Sequence, residues 1–237
     1  MKYILLDLDG TLLPMEQDQF TKAYFKALTV RMAPFRHADE LIQSIWTGTE
    51  AMIRNDGSKK NEQAFWDTYV KIFGDSARED EPHFWDFYQN HFPKVKSACG
   101  FTPKAKELIQ KVKSHGLQPV LASNPLFPLI AQRERMTWAG VDPDDFIHIT
   151  SYENSSYCKP NPRYYQEILE HIGAKPEECL MIGNDAHEDM AASKLGIHVF
   201  LLTECLINKN TIDVTQFPAG NYQDLFRYLD LRHRMKN

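Results

Sequence analysis

The chain has 237 residues, 43% of them hydrophobic and 25% charged, with a formal net charge of −5. That balance excludes an intrinsically disordered chain and leaves room for a core domain carrying a smaller insertion. Mild negative charge with no block of like charges excludes a general binder of nucleic acid or of acidic membranes.

The first predicted element is the apolar run YILLDL at 3–8, read as a strand buried on both faces of a parallel sheet. It meets Asp7 too soon to form the apolar core of an export signal, and no apolar stretch reaches the length of a membrane span, so a cytoplasmic protein is expected. Past Pro14 the periodicity turns helical over 19–33, 38–54, 61–73 and 82–92, broken at Pro34, at Asn55-Asp56-Gly57-Ser58 and at Pro82. Residues 15–99 are therefore expected to form an all-helical domain inserted into a core made of 1–14 and 100–237. Half of the aromatic residues, among them Trp46, Trp66 and Trp85, lie between Phe20 and Phe92. The expectation for each ring is packing inside the helical insertion, and none is assigned to a ligand. The segment from Arg54 to Lys60 reads as a solvated turn between helices.

From Thr102 strands and helices alternate. Thr102 suits an N-cap with Pro103 at the first helical position, and Gly116 closes that helix. The strand QPVLAS (118–123), a helix near 128–139, the strand FIHITS (146–151), a helix opened by Asn161-Pro162, the strand CLMIG (179–183), a helix ending at Gly196, the strand IHVFLL (197–202) and a final helix over 221–231 follow. This alternation predicts an α/β fold: a Rossmann-like, mostly parallel sheet with helices on both faces.

In such sheets ligands bind beyond the carboxyl ends of the strands. Asp7 and Asp9 follow the first strand, Ser123 and Asn124 the second, and Asn184, Asp185 and Asp189 follow CLMIG, while Lys159 lies in the loop after FIHITS. Carboxylates gathered at one rim repel one another unless a cation sits among them, and hard oxygen ligands suit Mg²⁺. A fixed lysine and a hydroxyl complete a cradle for a phosphoryl group. The four cysteines, Cys99, Cys158, Cys179 and Cys205, have neither zinc-finger nor C-x-x-C spacing and are expected to be reduced thiols packed as small hydrophobes.

DLDGT at 7–11, the Ser123 that closes VLAS, the Lys159 of KPNP and GNDAHED at 183–189 stand in the order and spacing of the haloacid dehalogenase-like hydrolase superfamily, which the chain resembles across nearly its whole core. The resemblance implies a phosphatase of a small phosphorylated metabolite. Asp7 would be the nucleophile, and Asp9 would protonate the leaving oxygen and then activate water. Gly10, Ser123, Asn124 and Lys159 would bind the phosphoryl group, with Thr11 in support. Asp7, the Asp9 carbonyl and either Asp185 or Asn184 would hold Mg²⁺. Many members place Asp directly after the glycine of the last motif, where this chain has Asn184. Asp185 is favoured as the stronger ligand, and Asp189 is expected to orient Lys159 or a water. The insertion would be a cap closing over the site. A monomer or weak homodimer is expected. The alternatives are a phosphomutase or another hydrolase of this superfamily, and a non-catalytic binding protein on the same fold.

Overall fold

The computed structural model describes residues 1–235. Six strands form one sheet in the order β3-β2-β1-β4-β5-β6, and every neighbouring pair is parallel. The strands are β1 Tyr3–Leu6, β2 Gln118–Leu121, β3 His148–Ile149, β4 Cys179–Gly183, β5 His198–Leu202 and β6 Ala219–Gly220. At the centre, Leu5 of β1 lies in register with Val120 on one side and Met181 on the other.

Side chains alternate along a strand, so Ile4 and Leu6 join one apolar cluster and Leu5 the other. The first face is covered by α5 (Pro103–Ser114), α6 (Leu129–Trp138) and α8 (Tyr222–Arg234), and the second by α7 (Pro162–Ile172). Each fully buried leucine or isoleucine contributes roughly 1.5–3 kcal/mol of transfer free energy. Burial on both faces is why β1 reads as an unbroken apolar run rather than as an alternating one. The helix starts follow local chemistry: Thr102 accepts from the Lys104 amide and Asn161 from the Arg163 amide.

Between β1 and β2 the chain is helical: α1 Gln17–Met32, α2 Ala38–Ile53, α3 Asn61–Phe73 and α4 Glu81–Asp86. The helix expected over 82–92 is shorter and differently placed. Pro82 lies in its first turn, where no amide is required, rather than ahead of it. Beyond Asp86 the backbone widens into a π turn over Phe87–His91 and then tightens into a 3₁₀ turn over Phe92–Ala98, since Pro93 can neither donate to Gln89 nor avoid its carbonyl.

Two other expectations are corrected. The strand expected over 146–151 is reduced to His148–Ile149, because the Thr150 hydroxyl donates to the Ser123 carbonyl at 2.7 Å and the Ser151 amide to Asn154 Oδ1 at 2.9 Å. The helix expected to end at Gly196 is a 3₁₀ helix, Met190–Leu195, because the residues before it are folded around the Asp185 side chain described below. The turn after α2 leaves Arg54, Asp56, Ser58 and Lys60 exposed, as expected, while Lys60 Nζ donates to the Asn154 carbonyl and to Glu167, each at 2.8 Å.

Candidate active site

The order of the sheet reverses at β1 and β4, which places a crevice beyond their carboxyl ends. Asp7 is the first residue after β1 and Asn184 the first after β4, so backbone topology alone brings them together. β1 ends at Leu6, so the alternation of a strand does not aim Asp7 and Asp9; the turn after β1 does. Leu8 between them is fully buried. Gly10 makes that turn with φ +87°, and a Cβ there would lie 2.3 Å from Asn184 Nδ2, so the glycine is required by the Asn184 amide.

Asp7 is 7% exposed and Lys159 3%. Lys159 Nζ donates to Asp7 Oδ1 at 2.9 Å and to Asp189 Oδ1 at 2.6 Å. Burial alone would lower the Lys159 pKa, but the Asp189 and Asp7 carboxylates outweigh it and hold it well above the ordinary lysine value. Asp189 is fixed in turn, its other oxygen accepting from the Asp185 amide at 2.9 Å. A Cβ on Gly183 would come within 2.1 Å of that oxygen, so the loop can close only over a glycine.

Asp9 has a partner that sequence reasoning missed. Arg135, fully buried on α6, donates through Nη1 to Asp9 Oδ2 and through Nη2 to Gln132 Oε1. Its guanidinium lies 4.4 Å from the centre of the Phe127 ring. Asp9 Oδ1 is buried with no hydrogen-bond partner among the described residues. Burial pushes the Asp9 carboxyl above the ordinary range, although Arg135 opposes it. The available signal was a cation set among Ala131, Met136, Trp138 and Ala139, one helix after the Ser123 loop.

Thr11 joins the two strand ends. Its hydroxyl is 3.1 Å from Asp7 Oδ2 and 2.9 Å from Asn184 Oδ1, yet it carries one proton for both. Two oxygens therefore meet with lone pairs to spare, a donor set suited to a hard cation such as Mg²⁺. Among the described residues no three His, Cys, Asp or Glu side chains are grouped as a metal cluster; the oxygens that converge are one carboxylate and one amide. Asp185 is placed differently. Its Oδ1 accepts from the His187 and Glu188 amides, both at 2.8 Å, and so shapes the loop.

Ser123 and Asn124 stand opposite, after β2. The Ser123 carbonyl accepts from Thr150 and Tyr164, which holds the residue at the crevice. Asn124 accepts from the Lys159 amide and donates to Glu188. Burial pushes the Glu188 carboxyl up to about 7, against the pull of Lys159. His187 is exposed. Cys158 is buried and its thiol pushed up to about 12 by burial, so it is inert at neutral pH. All four cysteines are free.

These groups form one end of a cavity of about 320 Å³. Asp7, Asp9, Ser123, Asn124, Asn184 and Asp185 line it, whereas Lys159 stands behind Asp7. Its other end is built from the helical segment, including Phe20, Tyr24, Phe25, Trp46, Phe65 and Tyr88. Aromatic residues expected only to pack thus also form a wall, while Trp66 is buried and Trp85 is exposed. The arrangement offers a carboxylate beside a fixed ammonium, a second carboxylate with one unpartnered oxygen, and a partly open cavity for the remainder of a substrate.

A family model described as haloacid dehalogenase-like hydrolase matches residues 1–196. A glyceraldehyde 3-phosphate phosphatase of Methanothermobacter thermautotrophicus is 29% identical over 121 residues, 48% of this chain and 52% of that protein, so the match spans about half the length of that relative. A phosphoglycolate phosphatase of Aquifex aeolicus is 23% identical over 234 residues, 97% of each chain. Among solved structures, Bacillus subtilis YfnB bound to magnesium shares the fold with a TM-score of 0.55 and 17% identity, covering 97% of this chain and 99% of that one. No helix among the described residues is long and apolar enough to cross a membrane.

Proposed function

The chain belongs to the haloacid dehalogenase-like hydrolase family, and from that premise we propose that it is a Mg²⁺-dependent phosphatase that hydrolyses a small phosphorylated metabolite through an aspartyl-phosphate on Asp7. The observation that carries this reading is the setting of the two acids: Asp7 is held by a permanently charged Lys159 at a cavity end, and Asp9 beside it keeps one oxygen free.

In the first step an Asp7 oxygen attacks phosphorus, the bond from phosphorus to the ester oxygen breaks, and that oxygen takes the proton carried by Asp9. In the second, the Asp9 carboxylate removes a proton from water, the water oxygen attacks phosphorus, and the bond to Asp7 breaks to return its carboxylate. Lys159 offsets negative charge on Asp7 and on the phosphoryl group without giving up its proton. Ser123, Asn124 and the backbone at Gly10 bind phosphoryl oxygens, and Thr11 and Asp189 keep Asp7 and Lys159 in place. Mg²⁺, when bound, supplies charge against the phosphoryl oxygens. The Asp7 carboxylate, the Asp9 carbonyl and a side-chain oxygen of Asn184 or Asp185 would hold it; the Asn184 oxygen, placed against the same hydroxyl as Asp7, is favoured over Asp185, which is engaged by amides.

Residues 15–99 act as a cap on the core formed by 1–14 and 100–237, excluding water and selecting the leaving group. The protein works in the cytoplasm as a monomer or weak homodimer. The test is phosphate release from a panel of phosphate esters with Mg²⁺ and with excess chelator. Release that falls at least about 100-fold on chelation is expected; no release from any ester would overturn the reading.

A further inference from the structure

The walls of the cavity speak to the leaving group. Five carboxylates line the phosphoryl end, Asp7, Asp9, Asp185, Glu188 and Asp189, and no lysine, arginine or histidine lines the cavity anywhere among the described residues. Lys159 and Arg135 are the buried cations behind this end, and both are engaged by carboxylates: Lys159 by Asp7 and Asp189, Arg135 by Asp9. The remaining wall is mostly aromatic and aliphatic, with Gln17, Thr21 and Thr49 as its uncharged polar members. Phe25 and Trp46 lie 5.4 Å apart between ring centres, Tyr24 and Phe127 5.5 Å. The Tyr24 and Tyr88 hydroxyls are 3.0 Å apart and bond to each other.

A second anion on the substrate would therefore be desolvated against ring faces, whose quadrupole is negative, with no cation to receive it. We propose that this site, read as a phosphatase site, takes the phosphate monoester of an uncharged, ring-sized and largely apolar alcohol, and rejects monoesters that carry a second anionic group. The aromatic wall provides the attraction for such a leaving group. The inference rests on the phosphatase reading and narrows it, and it separates this chain from a relative that acts on phosphoglycolate.

The test uses two esters that differ by one ring carboxylate, benzyl phosphate and its para-carboxylate, with 2-phosphoglycolate as a third, all with Mg²⁺. We expect kcat/KM for benzyl phosphate to exceed that for either carboxylated ester by on the order of 100-fold. Thr49, half-buried on α2 and lining the cavity away from the reacting groups, supplies the reverse arm. Thr49→Arg is expected to raise kcat/KM on the para-carboxylate by roughly tenfold while leaving or lowering that on benzyl phosphate. Carboxylated esters turned over within about threefold of benzyl phosphate, or better than it, would overturn the inference and leave the phosphatase reading standing. No phosphate released from any of the three esters or from the wider panel would overturn both.

Discussion

Asp9 and Arg135 meet across 126 positions of sequence, and their contact shows how the site is held at the level of single residues. The guanidinium fixes one carboxylate oxygen and leaves the other facing no partner, so a single cation both orients Asp9 and makes its burial tolerable. Replacing it strands the carboxylate. Arg135→Met is expected to cost about 3 kcal/mol of stability in urea denaturation and to lower kcat by roughly 100-fold. Arg135→Lys, which keeps the charge, should recover most of the stability and part of the rate. Unchanged kcat in Arg135→Met would remove Arg135 from the positioning of Asp9.

Asn184 is held from two sides. Its amide accepts from Thr11 and donates to the Cys205 carbonyl at 2.7 Å. A carboxylate in its place gains charge toward a cation and loses the donor. Asn184→Asp should therefore lower the Mg²⁺ concentration at half-maximal activity by roughly tenfold. The same variant in chelator should melt earlier, by about 1–2 kcal/mol of stability, because the Cys205 carbonyl is left unpaired next to a second negative charge. A Mg²⁺ titration indistinguishable from that of the parent would exclude Asn184 from the metal.

Among elements, β3 and α7 carry the clearest pH dependence. His148 of β3 lies 4.4 Å from His171 of α7 between ring centres. Burial first, and the neighbouring imidazole second, lower the His148 pKa from 6.5 to about 4. The unfolded chain then binds the proton more readily than the folded one between those two values, so the stabilising effect is complete above about pH 6.5 and is lost as pH falls toward 4. His148→Gln should flatten the acid limb of a denaturation series by about 1–2 kcal/mol, allowing for partial solvent access. An unaltered acid limb would show that His148 titrates normally.

The elements that carry the site were legible where one periodicity dominates. CLMIG emerged as β4 with its bounds intact, and α2 and α3 fall within a residue of the apolar spacing that predicts them. Bounds shifted where side chains capture backbone groups. Asp185 folds the loop before Met190 and converts a helix into a 3₁₀ turn. The Thr150 amide still donates to Leu121, but its hydroxyl occupies the Ser123 carbonyl and the Ser151 amide turns to Asn154, so the β3 ladder stops there. Those bonds join residues whose partners only the tertiary structure specifies.

For the whole molecule, the short motifs at 7–11 and 183–189 could be joined from sequence because ligands bind beyond the carboxyl ends of parallel strands, and the strand order sets the ends of β1 and β4 side by side. Lys159 arrives from the loop after β3 and meets both Asp7 and Asp189. Arg135 and the aromatic wall were not legible in the same way, because neither sits in a motif. The rings of α1, α2 and α3 satisfy a packing pattern whether or not one edge faces a cavity, and only the placement of the helical segment over the sheet decides which edge does.

Covalent catalysis requires the Asp7 carboxylate. Substituting Asp7→Asn preserves size and the Lys159 contact while removing the nucleophilic charge. Steady-state phosphate release from 4-nitrophenyl phosphate in Mg²⁺ is expected to fall by at least about 10⁴-fold in that variant, with its urea midpoint close to that of the parent. Release within about tenfold of the parent would contradict covalent catalysis at Asp7.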